Sequence, residues 1–298
     1  MSFVRYERLN DKKELRIVNR SFTVEKVLNN NVLIALHEDY NEAVLIGKGI
    51  GFGKKRGDLI EHENYEKMFI LENDKEQSQY KKLLTYVDEK MVDIANDVIY
   101  HIAQKIGQPL NEHIHVALTD HIAFAVKRLE QGFDMKNPFL LETESLYPKE
   151  YEVAKEAVDM INEQSAIQLP EGEIGFIALH IHSALTNRPL SEVNQHSQLI
   201  SKLVQVIEDA FQMKVNRESV NYLRLIRHLR FTIDRITREE PTQEPEKLML
   251  LLKTEYPLCY NTAWKMIKIL QQSLKKPVHE AEAVYLTLHL YRLTNKIS

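Results

Sequence analysis

The spacing of apolar residues changes once along this chain, near residue 80. Before that point the apolar residues fall in short β-branched runs: Phe22-Thr-Val-Glu-Lys-Val-Leu28, Asn31-Val-Leu-Ile-Ala-Leu36 and Ala43-Val-Leu-Ile46. Polar stretches, Asn29-Asn30-Asn31 and His37-Glu-Asp-Tyr-Asn-Glu42, separate them. Short runs with polar turns at this spacing predict an antiparallel sheet. Lys67-Met-Phe-Ile-Leu71 is a candidate fourth strand, and Glu72-Asn-Asp-Lys-Glu-Gln-Ser78 reads as a charged linker or a helix start. Residues 1–20 are charged and without clear period, so they read as an extension or a start assigned too far upstream. After residue 80, Leu84, Val87, Met91, Ile94, Ala95 and Val98 recur at spacings of three and four, which predicts helix. The same habit and the scarcity of glycine run to residue 298, so that region is expected to be all-α.

The helical region reads as one unit written twice. Leu118-Thr-Asp-His121-Ile-Ala-Phe124-Ala-Val-Lys-Arg128-Leu matches Leu225-Ile-Arg-His228-Leu-Arg-Phe231-Thr-Ile-Asp-Arg235-Ile. Tyr147-Pro148-Lys-Glu-Tyr151 matches Tyr256-Pro257-Leu-Cys-Tyr260. Glu171-Gly-Glu173-Ile-Gly-Phe176-Ile-Ala-Leu179-His180 matches Glu280-Ala-Glu282-Ala-Val-Tyr285-Leu-Thr-Leu288-His289. The offsets, 228 − 121 = 107, 257 − 148 = 109 and 289 − 180 = 109, agree within two residues, as an internal duplication requires. The segment from Asn187 to Ser197 separates the copies, and matching loops are expected at Gly132–Pro148 and Arg238–Pro257. The predicted organisation is α+β and multidomain. An extension (1–20) precedes a small antiparallel β module (21–78) and two all-α helical bundles (82–187 and 195–298).

Composition narrows the function classes. Net charge is −4, so any nucleic-acid site has to be local. Cys259 is the single cysteine, which excludes an intrachain disulfide and fits a reducing, cytoplasmic setting. No apolar run reaches the length of a membrane span, and the N-terminus lacks a signal-peptide core.

Five of the nine glycines fall in Gly47-Lys-Gly49-Ile-Gly51-Phe-Gly53-Lys-Lys-Arg-Gly57, with four positive charges and no negative one. Alternating glycines in a strand let another backbone approach. Phe52 sits among them, as an aromatic suited to stacking on a base does. The spacing is neither the dinucleotide fingerprint nor the Walker loop, since Lys55 stands where Ser or Thr is required. A plain glycine-rich hairpin with a solvated basic tail fits the spacing equally well.

Histidines carry the other candidate chemistry. His121, His180, His228 and His289 occupy matching places in the two copies. A single histidine of this kind is ordinarily a satisfied core residue, but two in each of two copies suggest a paired surface. Metal chemistry fits poorly, because no H-E-x-x-H occurs and cysteine ligands are lacking. The remaining role is phosphate acceptor, where the modification puts close to two negative charges on the ring. His113, His115 and His182 have no partners in the second copy and are auxiliary. A metal-dependent phosphohydrolase and a DNA-binding activator stand as rival readings.

Together these residues resemble the BglG/SacY family of bacterial transcriptional antiterminators, most closely its glucose-type members. The carrying segments are Lys26-Val-Leu-Asn-Asn-Asn31, Ile46-Gly-Lys-Gly-Ile-Gly-Phe-Gly-Lys-Lys55, Leu118-Thr-Asp-His121, Gly175-Phe-Ile-Ala-Leu-His180 and Leu286-Thr-Leu-His289. The resemblance runs from about Ser21 to Ser298. It implies a homodimeric RNA-binding module that grips a leader mRNA hairpin overlapping a terminator. It also implies two regulation domains controlled by the phosphotransferase sugar-uptake system. The sugar permease, for glucose in this branch, phosphorylates the first domain; the phosphocarrier protein HPr phosphorylates the second. RNA contacts would fall on Lys26, Asn31, Gly47, Lys48, Gly49 and Phe52, with Asn29 and Asn30 as weaker candidates. The phospho-acceptors would be His121, His180, His228 and His289, with no catalytic residue, cofactor or metal. Two features depart from the pattern. Lys48 stands where many relatives have Arg, and Arg227 stands in the second copy where the first has Asp120. The latter marks His228 as a poorer or differently used acceptor than His121.

Overall fold

The computed structural model describes residues 7–8, 21–37, 41–61, 65, 67–69, 74–84, 86–240 and 246–294. A small antiparallel sheet precedes a long series of helices. The strands are β1 (Glu7–Arg8), β2 (Phe22–Val27), β3 (Val32–His37), β4 (Asn41–Ile46), β5 (Leu59–Ile60) and β6 (Lys67–Phe69). Their order in the sheet is β1-β6-β4-β3-β2-β5, with every pair antiparallel. Period-two alternation splits the strand residues between two buried faces. Val24, Leu33, Ala35, Ala43 and Leu45 pack with Phe22, Ile50, Ile60, Tyr65 and Met68. Val32, Ile34, Val44 and Ile46 point the other way. The β2–β3 turn is built by Asn29, whose Oδ1 accepts from the backbone N–H of Asn31 at 3.0 Å and of Val32 at 2.7 Å. This is the Asx turn that Asn favours for just this reason.

The helices are α1 (Asp74–Leu83), α2 (Glu89–Ile106), α3 (His113–Glu130), α4 (Leu140–Leu146), α5 (Pro148–Gln164) and α6 (Gly172–Thr186). They continue as α7 (Leu190–Phe211), α8 (Val220–Arg238), α9 (Glu246–Glu255), α10 (Pro257–Leu274) and α11 (Ala281–Thr294). Local chemistry sets their ends. Asp88 Oδ1 accepts from Lys90 N at 3.0 Å to start α2, and Gly107, at φ 66°, stops it. Ser219 accepts from Tyr222 N at 3.2 Å to start α8. None of these helices is long and apolar enough to cross a membrane.

The chain divides into two compact units. The first holds the sheet with α1–α3, α5 and α6; the second holds α4 and α7–α11. In the first, the Val32 face of the sheet buries Tyr80 and Leu83 of α1, Leu84 just beyond it, and Val92 of α2, with Val87 and Val116 at its margin. The sheet and the histidine-bearing helix α3 therefore share one core. In the second unit, α4 is tied to α7 and α8. Arg217 and the Tyr222 hydroxyl donate to Glu142 Oε1 at 3.3 Å and 3.4 Å, and Arg230 donates to Leu146 O at 2.9 Å.

Four sequence expectations need correction. The expected loop Gly132–Pro148 contains α4, and Arg238–Pro257 contains α9. Both helices are short, so their periodicity is weak. The connection between the copies is far shorter than Asn187–Ser197, because α7 begins at Leu190 directly after Pro189. The glycine segment is not a strand; it is a run of turns between β4 and β5, with Gly49, Gly53 and Gly57 at φ 71°, 70° and 94°. Glycine at every fourth residue in the left-handed region coils the chain rather than extending it. Finally, part of the presumed extension, Glu7–Arg8, pairs with β6 as an edge strand; the rest of residues 1–20 lies outside the described residues.

Candidate functional site

At one end of the sheet, the turn after β2 and the glycine turns after β4 are laced together. Gly47 N–H donates to Asn31 O at 3.0 Å and Gly51 N–H to Asn30 O at 2.8 Å. Gly49 N–H donates to the Asn31 side-chain Oδ1 at 2.8 Å. The contact is close enough to require glycine: a Cβ on Gly51 would lie 2.2 Å from Asn29 O. Ile50 is buried in the sheet core, which turns Phe52 outward to 79% exposure. Lys26, Asn30, Lys48 and Gly49 are exposed around it, Asn29 and Asn31 are half-buried, and Gly47 is buried. Seven of the eight expected RNA residues thus lie on one loop pair, and the eighth, Lys26, is on β2 just before it. They do so in different roles. Phe52, Lys26 and Lys48 offer a stacking face and cations, while the Asn29 carboxamide oxygen is spent on its own turn.

The histidines come together in pairs. α3 and α6 bring the rings of His121 and His180 to 4.9 Å between centroids. Beneath them Glu173 of α6 is completely buried, accepting from His121 Nε2 at 2.9 Å and from Arg128 at 2.5 Å. Burial works to raise the Glu173 pKa, but His121 and Arg128 hold it below the ordinary carboxylate range. An ionised carboxylate can only accept, so it fixes a proton on His121 Nε2. His180 is kept neutral: burial, then the nearby His121 and His113, hold its pKa well below the usual histidine value. A neutral imidazole at pH 7 is a nucleophile.

The second copy repeats the plan with one insertion. α8 and α11 bring His228 and His289 to 4.7 Å. Arg235 donates to the buried Glu282 through Nε at 3.0 Å and through a terminal nitrogen at 2.7 Å. Here Thr232 stands where the first copy has Ala125, and its hydroxyl donates to Glu282 Oε2 at 2.8 Å. His228 is consequently 3.6 Å from that carboxylate and 3.4 Å from the threonine hydroxyl. Burial, with His228, Arg292 and Arg224, brings His289 down to about 4. The first pair has a carboxylate against its ring; the second has a hydroxyl between them.

Sequence reasoning had no role for Glu173, Arg128, Glu282, Arg235 or Thr232. The signal was present, since the glutamates and arginines align in the duplicated segments. Asp120, beside His121, accepts from the Tyr86 hydroxyl at 3.0 Å. That bond joins the α1–α2 connection to the histidine helix. Of the auxiliary histidines, His113 bonds Asn111 (2.7 Å) and Ser183 (3.2 Å), and His182 bonds Glu150 (2.8 Å). Among the described residues no group of three or more His, Cys, Asp or Glu is arranged to hold a metal ion.

Comparison with known proteins decides the family. The CAT RNA binding domain matches residues 22–78, and the PRD domain matches residues 96–184 and 201–293. The chain belongs to the BglG/SacY family of transcriptional antiterminators. It is 79% identical over 281 residues to the PtsGHI operon antiterminator of Bacillus subtilis (strain 168), covering 94% of this chain and 100% of that protein. It is 41% identical over 281 residues to the GlcA/glcB genes antiterminator of Staphylococcus carnosus (strain TM300), covering 93% of this chain and 97% of the relative. A crystal structure of GlcT CAT-PRDI matches with a TM-score of 0.53 and 73% identity, covering 56% of this chain and all of that one. This antiterminator architecture assigns the sheet to an RNA-binding domain and each helical copy to a regulation domain. The described residues of 22–60, where the DNA-binding alternative requires a helix-turn-helix, form strands and turns instead.

Proposed function

We propose that this chain is a cytoplasmic, homodimeric antiterminator of a glucose phosphotransferase operon, switched by phosphorylation of its histidines. The observation that carries the reading is the His121–His180 pair over a buried Glu173 carboxylate, within the same compact unit as the exposed Phe52 loop. In the unmodified state Phe52 stacks on a base of the leader mRNA hairpin, and Lys26 and Lys48 meet phosphates. Asn30 and Asn31, with the backbone of Gly47 and Gly49, supply hydrogen bonds. RNA bound in this way keeps the terminator from forming.

When glucose is scarce, its permease transfers a phosphoryl group to His121 or His180. The donor's bond to phosphorus breaks and a phosphorus–nitrogen bond forms on the imidazole. The chain catalyses no reaction of its own; it accepts the group. The new charge, close to two negatives, arises beside the Glu173 carboxylate. Repulsion and the demand for solvent strain the α3–α6 contact, and α3 shares a core with the sheet through Val116. HPr is the donor for His228 and His289, where the Thr232 hydroxyl and Arg227 replace the direct carboxylate contact and Asp120.

A reporter gene placed behind the ptsGHI leader terminator tests the switch. His121→Ala is expected to give antitermination without glucose, and replacing His228 and His289 together the smaller change. Reporter output that stays glucose-dependent in His121→Ala and in His180→Ala would remove the first pair from the switch.

A further inference from the structure

Asn31 is an RNA-contact candidate, yet its side chain is already engaged at both ends. Its Oδ1 accepts from Gly49 N–H at 2.8 Å, inside the loop pair. Its Nδ2 donates to Asp93 Oδ2 at 3.0 Å, across a gap of 62 residues. Asp93 belongs to α2, the helix that leads from the sheet into the first regulation domain. The helix is held there by packing, since the adjacent Val92 is fully buried against Val32 and Ile34 of the sheet. Glu89, Asp93 and Asp97 follow one another at four-residue spacing, so three carboxylates fall on one side of α2. A carboxylate at the amide of an RNA-reading asparagine is poorly placed for RNA. It takes up a donor that a base would use, and it repels the phosphates that Lys26 and Lys48 attract.

We propose that Asp93 competes with RNA for Asn31, so that α2 acts as a latch on the RNA turn that the leader hairpin must displace. This inference rests on the RNA reading of the turn given above. The latch lies on the path to the first histidine pair. Val116, just over one helical turn before His121 on α3, packs at the margin of the same cluster as Val32 and Val92. A shift of α3 against the sheet is thereby transmitted to the Asp93–Asn31 contact. Asp93 touches Asn31 and acts through it, so it is a positioning residue for RNA binding.

The test uses the unphosphorylated full chain and a fluorescent RNA transcribed from the ptsGHI leader, with affinity read by anisotropy. Asp93→Ala removes both the bond and the charge and is expected to tighten binding at least about fivefold, equal to about 1 kcal/mol at 1.4 kcal/mol per decade. Asp93→Asn keeps an acceptor but no charge, and its smaller gain guards against a folding defect in the alanine variant. The gain should shrink as salt is raised, because part of it is phosphate repulsion. Parental binding with equal or weaker affinity in both variants overturns the latch and leaves the RNA reading intact. If neither parent nor variants bind the leader RNA, or if Phe52→Ala binds as the parent does, the RNA reading fails and the latch falls with it.

Discussion

Replacing Glu173 by Gln removes the charge on which the first histidine pair is built while keeping the size of the side chain. Glu173 is 0% exposed and accepts two hydrogen bonds, from Arg128 at 2.5 Å and from His121 at 2.9 Å. Removing one partner of a buried ion pair outright costs about 3–5 kcal/mol. Gln retains one acceptor oxygen, so one charged bond weakens and the other is lost, for about 2–3 kcal/mol. In a unit of this size that corresponds to roughly 5–10 °C in the melting temperature of the first unit. Calorimetry of the full chain, read on the transition that Glu173→Gln moves, supplies the measurement. The pH dependence gives a second handle. His121 and Arg128 depress the Glu173 pKa against the effect of burial. Its contribution is therefore complete above the ordinary carboxylate pKa of about 4.5 and is lost as pH falls through the lower folded value. The gap between parent and variant should be full at pH 7 and should close in acid. A loss below about 0.5 kcal/mol, the size of an ordinary surface substitution, would refute the reasoning, as would a gap that does not change with pH.

Two further predictions follow from the same geometry. Burial, with neighbouring charge at His180 and His289, lowers the pKa of His180, of His289 to about 4 and of His115 to about 3. Each group binds its proton more readily unfolded, so stability should fall as pH drops below about 6.5, by up to about 1.4 kcal/mol per pH unit per group. His180→Phe should flatten that slope in urea titrations; an unchanged slope would contradict a neutral, buried His180. Gly51→Ala drives a methyl group onto Asn29 O and should weaken leader-RNA binding more than tenfold with little change in the helical melting transition. Binding at parental strength would show that the two loops need not be laced together.

The sequence displayed some of this plainly. Short β-branched runs between polar turns exposed β2, β3 and β4, and the duplication exposed the histidines, because α3 with α8 and α6 with α11 kept their registers. The rest was hidden for identifiable reasons. Glu173 lies 52 residues from His121 in sequence, and only the packing of α6 on α3 joins them. Thr232 and Glu282 lie 50 residues apart in sequence, and only the packing of α11 on α8 joins them. α4 and α9 were too short to show a period. Alternating glycines suggested an extended strand, whereas three of them sit at positive φ and coil the chain. Asn31 was legible as a candidate contact residue, but nothing in the spacing could reveal that Asp93 already holds it.

The central claim is RNA binding that histidine phosphorylation turns off, and a single band-shift series tests it. The unmodified full chain is mixed with ptsGHI leader RNA, then assayed again after incubation with phosphoenolpyruvate, the phosphocarrier chain and the glucose permease domain. The account predicts a shifted band that disappears on phosphorylation and persists in His121→Ala. A band that is absent from the start, or that survives phosphorylation of His121 and His180, would contradict it.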